Sequence, residues 1–186
     1  MDRKPPVLKP DARTVERYHT LLLPHLDAAY RYARWLTRNP TDAQDVAQEA
    51  MLQALRYFHA FRGEAARPWL LRIVRNTWND LRARNGTEQL PVGLLETRAA
   101  DGPDPEQSVL AGERRRQVAA ALAALPTESR EVLMLREIED LSYRHIAAVL
   151  DLPIGTVMSR IARARQKLAA ELKGRLGRRD HGLPDV

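Results

Sequence analysis

The chain has 186 residues, no cysteine and a formal net charge of +6. That length allows one domain or two small ones, and the absence of thiols excludes disulfides and cysteine metal sites and fits a cytoplasmic setting. Pro24 ends the longest leucine run, Leu21-Leu22-Leu23, and the N-terminus has no apolar segment of a secretory signal, so no membrane insertion is expected.

Charge is spread unevenly along the chain. Residues 1–88 hold 15 Lys and Arg against 10 Asp and Glu, residues 89–112 hold 1 against 4, and residues 113–186 hold 14 against 10. Two basic blocks joined by an acidic connector suit a polyanionic partner held at two places. A solvated surface has the same balance, so charge alone does not decide.

Taken in order, residues 1–13 read as a flexible tail. A helical stretch begins near Thr14, restarts at Pro24 and ends by Asn39-Pro40, with Leu26, Ala29, Tyr30, Ala33 and Leu36 on its apolar face. Thr41 with Gln44 has the form of a capping box opening the next helix. Positions 43, 46, 47, 50, 51, 54, 55 and 58 keep its helical period, and the opposite face carries Asp42, Asp45, Gln48 and Glu49. Three carboxylates within two turns raise a metal site, but no histidine joins them; a solvated or protein-docking face fits better.

Phe61 to Glu64 reads as a loop, and Pro68 suits the first turn of a third helix running to about Arg84. Leu70, Ile73, Val74, Thr77, Trp78 and Leu81 form its apolar stripe, and Trp69, Arg72, Arg75, Asn76, Asn79 and Arg82 lie around the rest. Cations interleaved with Trp and Asn are the ingredients of a surface that stacks bases and holds phosphates. Gly and Pro punctuate residues 85–112, which lose helical period and read as a linker.

Helix resumes from Glu106 to Leu125, with Val118, Leu122 and Leu125 as core positions. After Pro126 a second helix runs from Glu128 to Ile138, with Val132, Leu133, Leu135 and Ile138 inward. The following stretch, LSYRHIAAVLDLPIGTVMSRIARARQKL over Leu141–Leu168, reads as a helix-turn-helix. Ser142 caps the first helix, Pro153 breaks it, and the second runs from Gly155-Thr156 to about Leu172. Val157, Ile161, Ala164, Leu168 and Leu172 share the core stripe. Met158, Ser159, Ala162 and Arg163 face the other way, with Arg160, Lys167 and Arg165 on the flanks. Such a helix can meet base edges with its front and phosphates with its flanks. The chain from Gly174 reads as a loose tail.

Two motifs, in order, resemble one family. Leu141–Leu168, with its GTV-x-SR-x-x-RAR core, is similar to region 4 of extracytoplasmic-function (ECF) sigma factors, the small bacterial transcription initiation factors. DAQDVAQEAMLQAL followed by FRGEAARPWLLRIVRN resembles region 2 of the same family. The resemblance implies an all-α chain of two small helical domains joined by a flexible linker: region 2 over 14–88, an acidic linker over 89–112, and region 4 over 113–173, followed by a tail over 174–186. It implies a cytoplasmic, non-enzymatic subunit of bacterial RNA polymerase without cofactor or metal, acting in a stress or envelope response.

By the same resemblance, Asp45, Gln48 and Glu49 dock on core RNA polymerase. The minus-ten element, as melted strand, falls to Phe61, Arg62, Trp69, Arg72, Arg75, Asn76 and Asn79. Met158, Ser159, Ala162 and Arg163 read the minus-thirty-five element in duplex promoter DNA, with Arg144, Arg160 and Arg165 on phosphates. An anti-sigma factor is the implied regulator. Met158 stands where the family often has a basic residue, which implies an apolar contact such as a thymine methyl. Arg144-His145 replaces two acids common there, and the loop before Trp69 is one residue short and lacks an aromatic often found in it. A stand-alone helix-turn-helix regulator would account for residues 113–173 and leave the first domain unexplained. A nuclease using Asp42, Asp45 and Glu49 would need metal-dependent turnover.

Overall fold

The computed structural model describes residues 11–62, 65–85 and 105–177, and these are helical apart from short connections. The described residues fall into two compact units, one holding those up to Asn85 together with Ala148–Asp151, the other the rest. The expected linker falls largely outside the described residues, as do Gly63-Glu64 of the expected loop.

In the first unit, α1 spans Ala12–Leu22, a 3-10 turn covers Leu23–His25, α2 spans Leu26–Thr37, α3 Pro40–Tyr57 and α4 Ala66–Asn85. Asp11 begins α1 by accepting the Thr14 N–H at 2.7 Å, so the helix starts inside the expected tail. That hydrogen bond holds the Asp11 carboxyl below its ordinary range. Pro24 sits in the 3-10 turn, and α2 resumes after it, as the sequence suggests.

The turn shifts the helical register. Leu26 is therefore 44% exposed, while Leu22, Ala28 and Tyr32 are buried together with Ala29, Ala33 and Leu36. Tyr30 is only half-buried. The cap of α3 also differs from the expected box. Asn39 takes that place, accepting the N–H groups of Thr41 and Asp42 at 2.9 and 3.5 Å, with Pro40 opening the helix. Proline supplies a preset φ and no N–H where none is needed, so the cap falls before it.

α2, α3 and α4 pack on one another, and α1 lies against α4. Small residues make the close approach of α3 possible: Ala43, Ala47, Ala50 and Ala54 are buried beside Val46 and Phe58. On α4, Leu70, Leu71, Val74 and Thr77 are buried, whereas Ile73, Trp78 and Leu81 of the expected stripe are half-buried.

The second unit holds α5 (Pro105–Ala124), α6 (Thr127–Leu133) with a π-helical turn (Met134–Ile138), the start of α7 (Tyr143–Leu150) and α8 (Ile154–Gly177). α5 thus begins inside the expected linker, and α8 runs past Gly174 into the expected loose tail. α8 packs on α5 and α6. Full burial of side chains such as Val132, Leu135, Val157 and Ile161 contributes roughly 1.5–3 kcal/mol each.

Two expected core positions are on the surface: Val118 is 42% exposed and Ile138 60%. Ala121 and Leu125 form the buried line of α5 instead. For Ile138 the reason lies in the backbone. The Glu139 N–H reaches the Met134 carbonyl at 3.1 Å, an i→i+5 closure. A π-helical turn advances less per residue than an α-helix, so Ile138 falls off the buried stripe and Glu139 turns inward, fully buried.

Candidate nucleic-acid interface

Local chemistry builds the helix-turn-helix. Ser142 caps α7, its hydroxyl oxygen accepting the His145 N–H at 3.2 Å. Ile146, Val149 and Leu150 are buried, one per turn or nearly so. α7 ends before Pro153 acts. Asp151 adopts a left-handed φ of 55°, and the Leu152 N–H returns to the Ala147 carbonyl at 3.0 Å. This is a Schellman closure with aspartate in the place glycine usually takes.

Pro153 then serves the next helix. Its carbonyl accepts the N–H groups of Thr156 and Val157 at 2.9 and 3.2 Å, so α8 begins at Ile154. The chain turns by 105° across the break. That angle lies in the helix-turn-helix range and leaves one side of α8 open.

Burial sorts the faces of α8. Val157, Ile161 and Ala164 are buried, and Leu168 and Leu172 half-buried, as their spacing suggests. Met158 is 52% exposed, and Ser159, Ala162 and Arg163 are exposed beside it. Ser159 and Arg163 form a linked pair on this front. Arg163 donates through Nε to the Ser159 carbonyl and through Nη2 to its hydroxyl oxygen, both at 3.2 Å. The Ser159 hydroxyl donates to the Thr156 carbonyl at 3.0 Å.

The flanking arginines differ in their state. Arg144, on α7, is exposed. Arg160 is paired with Glu128 at 3.2 Å, and Arg165 donates through Nε and Nη2 to one oxygen of Glu137, at 3.1 and 2.7 Å. The Glu137 hydrogen bond, followed by its charge, raises the Arg165 guanidinium above its already high range. Glu128 and Glu137 lie far from these arginines in sequence, so no local pattern could have revealed the pairs.

In the first unit, α4 presents a mixed polar face: Arg72, Asn76 and Asn79 are exposed and Arg75 is half-buried. Trp69 is half-buried at the end of an aromatic series. Its ring centroid lies 5.0 Å from Phe61 and 6.5 Å from Phe58, and Phe58 and Phe61 stack at 5.8 Å. Phe58 in turn meets Tyr18 edge-on at 5.7 Å. The Tyr18 hydroxyl donates to the Met51 carbonyl at 2.9 Å, and burial pushes that phenol up. Arg62, beside Phe61, is exposed. Trp78, expected in the core, is half-buried with the Arg82 guanidinium 5.9 Å from its ring centroid. Such a face offers rings for stacking and cations for phosphates.

On α3, Asp45 and Gln48 are exposed and Glu49 half-buried. Gln53 Nε2 donates to a Glu49 oxygen at 3.2 Å, and Arg56 stands 3.8 Å from the same oxygen. Leu52, one turn after Gln48, is 46% exposed on this side. The sequence marks it only as an apolar residue off the buried stripe. Polar groups surround this one exposed leucine, a composition suited to contact with another protein. Among the described residues, no group of three His, Asp or Glu side chains is placed to hold a metal ion. No single described helix is long and apolar enough to cross a membrane.

Comparison with known proteins places both regions. Residues 21–88 match the model for Sigma-70 region 2, and residues 115–168 that for Sigma-70, region 4. The chain is 36% identical over 161 residues to the ECF RNA polymerase sigma factor SigE of Mycolicibacterium smegmatis, covering 85% of this chain and 62% of that one. It is 36% identical over 150 residues to the ECF RNA polymerase sigma-E factor of Haemophilus influenzae, covering 75% and 78%. Among solved structures, it is similar to the sigma factor RpoE in complex with the anti-sigma factor NepR from Bartonella quintana. The TM-score is 0.65 at 26% identity, over 85% of this chain and 98% of that one. With both regions matched in order, and more than two thirds of the Haemophilus relative covered, the chain belongs to the ECF family of RNA polymerase sigma factors.

Proposed function

We propose that the protein binds core RNA polymerase and directs promoter recognition, melting and initiation as a subunit with no catalytic group of its own. One observation carries this reading. A single chain holds both a helix-turn-helix with an open front and, in a separate helical unit, a face of rings and cations on α4. A duplex-reading regulator needs the first and has no use for the second.

The roles follow from surface chemistry. Met158, Ser159, Ala162 and Arg163 meet base edges of the minus-thirty-five element in the major groove, with Arg144, Arg160 and Arg165 on the flanking phosphates. Trp69, with Phe61 behind it, takes an unstacked base of the minus-ten strand, while Arg62, Arg72, Arg75, Asn76 and Asn79 hold its backbone and polar edges. Asp45, Gln48 and Glu49 dock on the polymerase with Leu52 as apolar centre. The regulator we propose is an anti-sigma factor, supported by the Bartonella relative having been solved with one. Its place of action is the cell interior, where the relatives' polymerase works.

Run-off transcription with core polymerase on genomic fragments tests the proposal. Discrete start sites are expected only when the protein is added. A tight shift of duplex promoter by the free protein, without any run-off product, would overturn it. Asp45→Ala tests the docking face, since it should weaken co-purification with core polymerase at unchanged thermal stability.

A further inference from the structure

α1 begins nine residues before the matched region 2, and it carries a cation to the aromatic series. The Arg17 guanidinium stands 5.7 Å from the Phe58 ring centroid. Phe58 is 3% exposed, Phe61 stacks on it, and Trp69 lies against Phe61. Steps of 5.7 and 6.5 Å therefore lead from the guanidinium through Phe58 to Trp69. Arg17 itself is exposed, and among the described residues its guanidinium meets the Phe58 ring. A cation over a ring keeps its charge and much of its hydration, so it can still accept a phosphate. Arg13 is exposed one turn earlier, on the same side of α1.

We infer that Arg17 is a phosphate contact for the melted promoter strand, extending the strand's track from Trp69 across Phe58 onto α1. The inference rests on the proposed capture of an unstacked strand by region 2. With a base stacked on Trp69, a backbone that continues toward α1 would meet the Arg17 charge beside the buried Phe58, and a bare strand needs cations along its path. Tyr18 contributes by position. Its hydroxyl bond to Met51 and its edge contact with Phe58 fix the α1 turn that carries Arg17.

The test uses holoenzyme reconstituted from the full chain and core polymerase, with a fluorescent single-stranded oligonucleotide carrying the minus-ten sequence. Affinity is measured across a salt series. Arg17→Met keeps the stem against Phe58 and removes the charge; it should lower the slope of log affinity against log salt by about 0.7, the value for one phosphate on a single strand. Arg17→Lys should restore the slope. An Arg17→Met slope equal to wild type, with or without a lower melting temperature, would overturn the inference and leave Arg17 a packing residue. Trp69→Ala in the same assay separates this from the underlying reading. Loss of strand affinity in Trp69→Ala with an unmoved Arg17→Met slope sinks Arg17 alone. Unchanged strand affinity in both Trp69→Ala and Arg72→Ala sinks strand capture by region 2.

Discussion

Arg165 and Glu137, 28 residues apart, are joined by two hydrogen bonds to a single carboxylate oxygen, at 3.1 and 2.7 Å. The pair fastens the π-helical turn to α8, and the Arg160–Glu128 pair does the same from α6. Both arginines belong to the flanks proposed to meet phosphates. An arginine already matched by a carboxylate must exchange partners to bind DNA, and it contributes less net attraction. Glu128 and Glu137 thus hold two of the flanking cations in place, and on the proposed role of those cations they would temper the affinity of the free protein for DNA.

Glu137→Gln should release Arg165. The holoenzyme's affinity for duplex minus-thirty-five DNA should rise at low salt, and the log–log salt slope should steepen by up to about 0.9, one phosphate's worth on B-DNA. Since the pair is half exposed, its loss should leave thermal stability nearly unchanged. A slope matching wild type would mean that Arg165 keeps away from the phosphates.

The cap of α3 can be tested by comparing two neighbours. Asn39→Ala removes the acceptor for two N–H groups and should cost about 0.5–2 kcal/mol in unfolding free energy. Thr41→Ala, at an exposed position inside the first turn, should change stability by less than about 0.5 kcal/mol. Urea melts of both variants give the comparison; equal losses would favour the Thr41–Gln44 box that the sequence suggests.

Along α8, where helical period runs unbroken, the sequence shows the burial pattern. Val157, Ile161 and Ala164 are in the core, and Met158, Ser159, Ala162 and Arg163 are outside, as their spacing implies. Some failures lie within regular helices, such as Val118 on α5 and Trp78 on α4, and others where the backbone leaves that period. A 3-10 turn moved Leu26 out, and a π-helical turn exchanged Ile138 for Glu139. Pro24 marks the first break but not the resulting shift in register, and the π-helical turn carries no comparable residue signal. Asn39 was hidden for another reason: Pro40 and Thr41 each suit a helix start, and only geometry tells which residue lies outside. At the candidate site, Trp69 and the α4 cations are legible in their own segment. The Arg17–Phe58 contact and the Glu137–Arg165 pair depend on helices meeting in space, which no local spacing records.

Acid should weaken the first unit through His25. Burial, and then the charge of Arg67, holds this imidazole below its usual 6.5. A group that binds its proton more weakly when folded favours the unfolded chain as it protonates. Its destabilising effect is therefore absent above the unfolded value and grows as pH falls below it. Melting temperature should drop between about pH 7 and pH 5 in the wild type, and His25→Gln should show a smaller drop. Identical pH profiles would remove His25 from the balance.

Met158 offers a test in which the DNA is changed rather than the protein. Its side chain is 52% exposed at the front of α8 and has no hydrogen bond to give. It can discriminate a base only through apolar contact, and the thymine methyl is the apolar group in the major groove. Replacing each thymine of the minus-thirty-five element by uracil should weaken holoenzyme binding at one position. Met158→Ala should abolish that penalty while leaving the fold within about 0.5 kcal/mol of wild type. A uracil penalty of equal size in Met158→Ala would assign the contact to another residue.

Arg163 is the cation of this front, and the structure shows what it must give up. Free of DNA, its guanidinium leans on the Ser159 carbonyl and hydroxyl. Both bonds are exposed, so exchanging them for a base edge costs little. Arg163→Ala should relax selectivity at one upstream base pair and cost about 1–3 kcal/mol there if the contact is bidentate to guanine. Ser159→Ala should act differently. It removes one tether of Arg163 and leaves the carbonyl bond, so selectivity at that base pair should persist while affinity shifts by under about 1 kcal/mol. Transcription from a promoter set varied at each minus-thirty-five position reads both effects. A uniform fall across all variants in Arg163→Ala would make it a phosphate contact and move base reading to its neighbours.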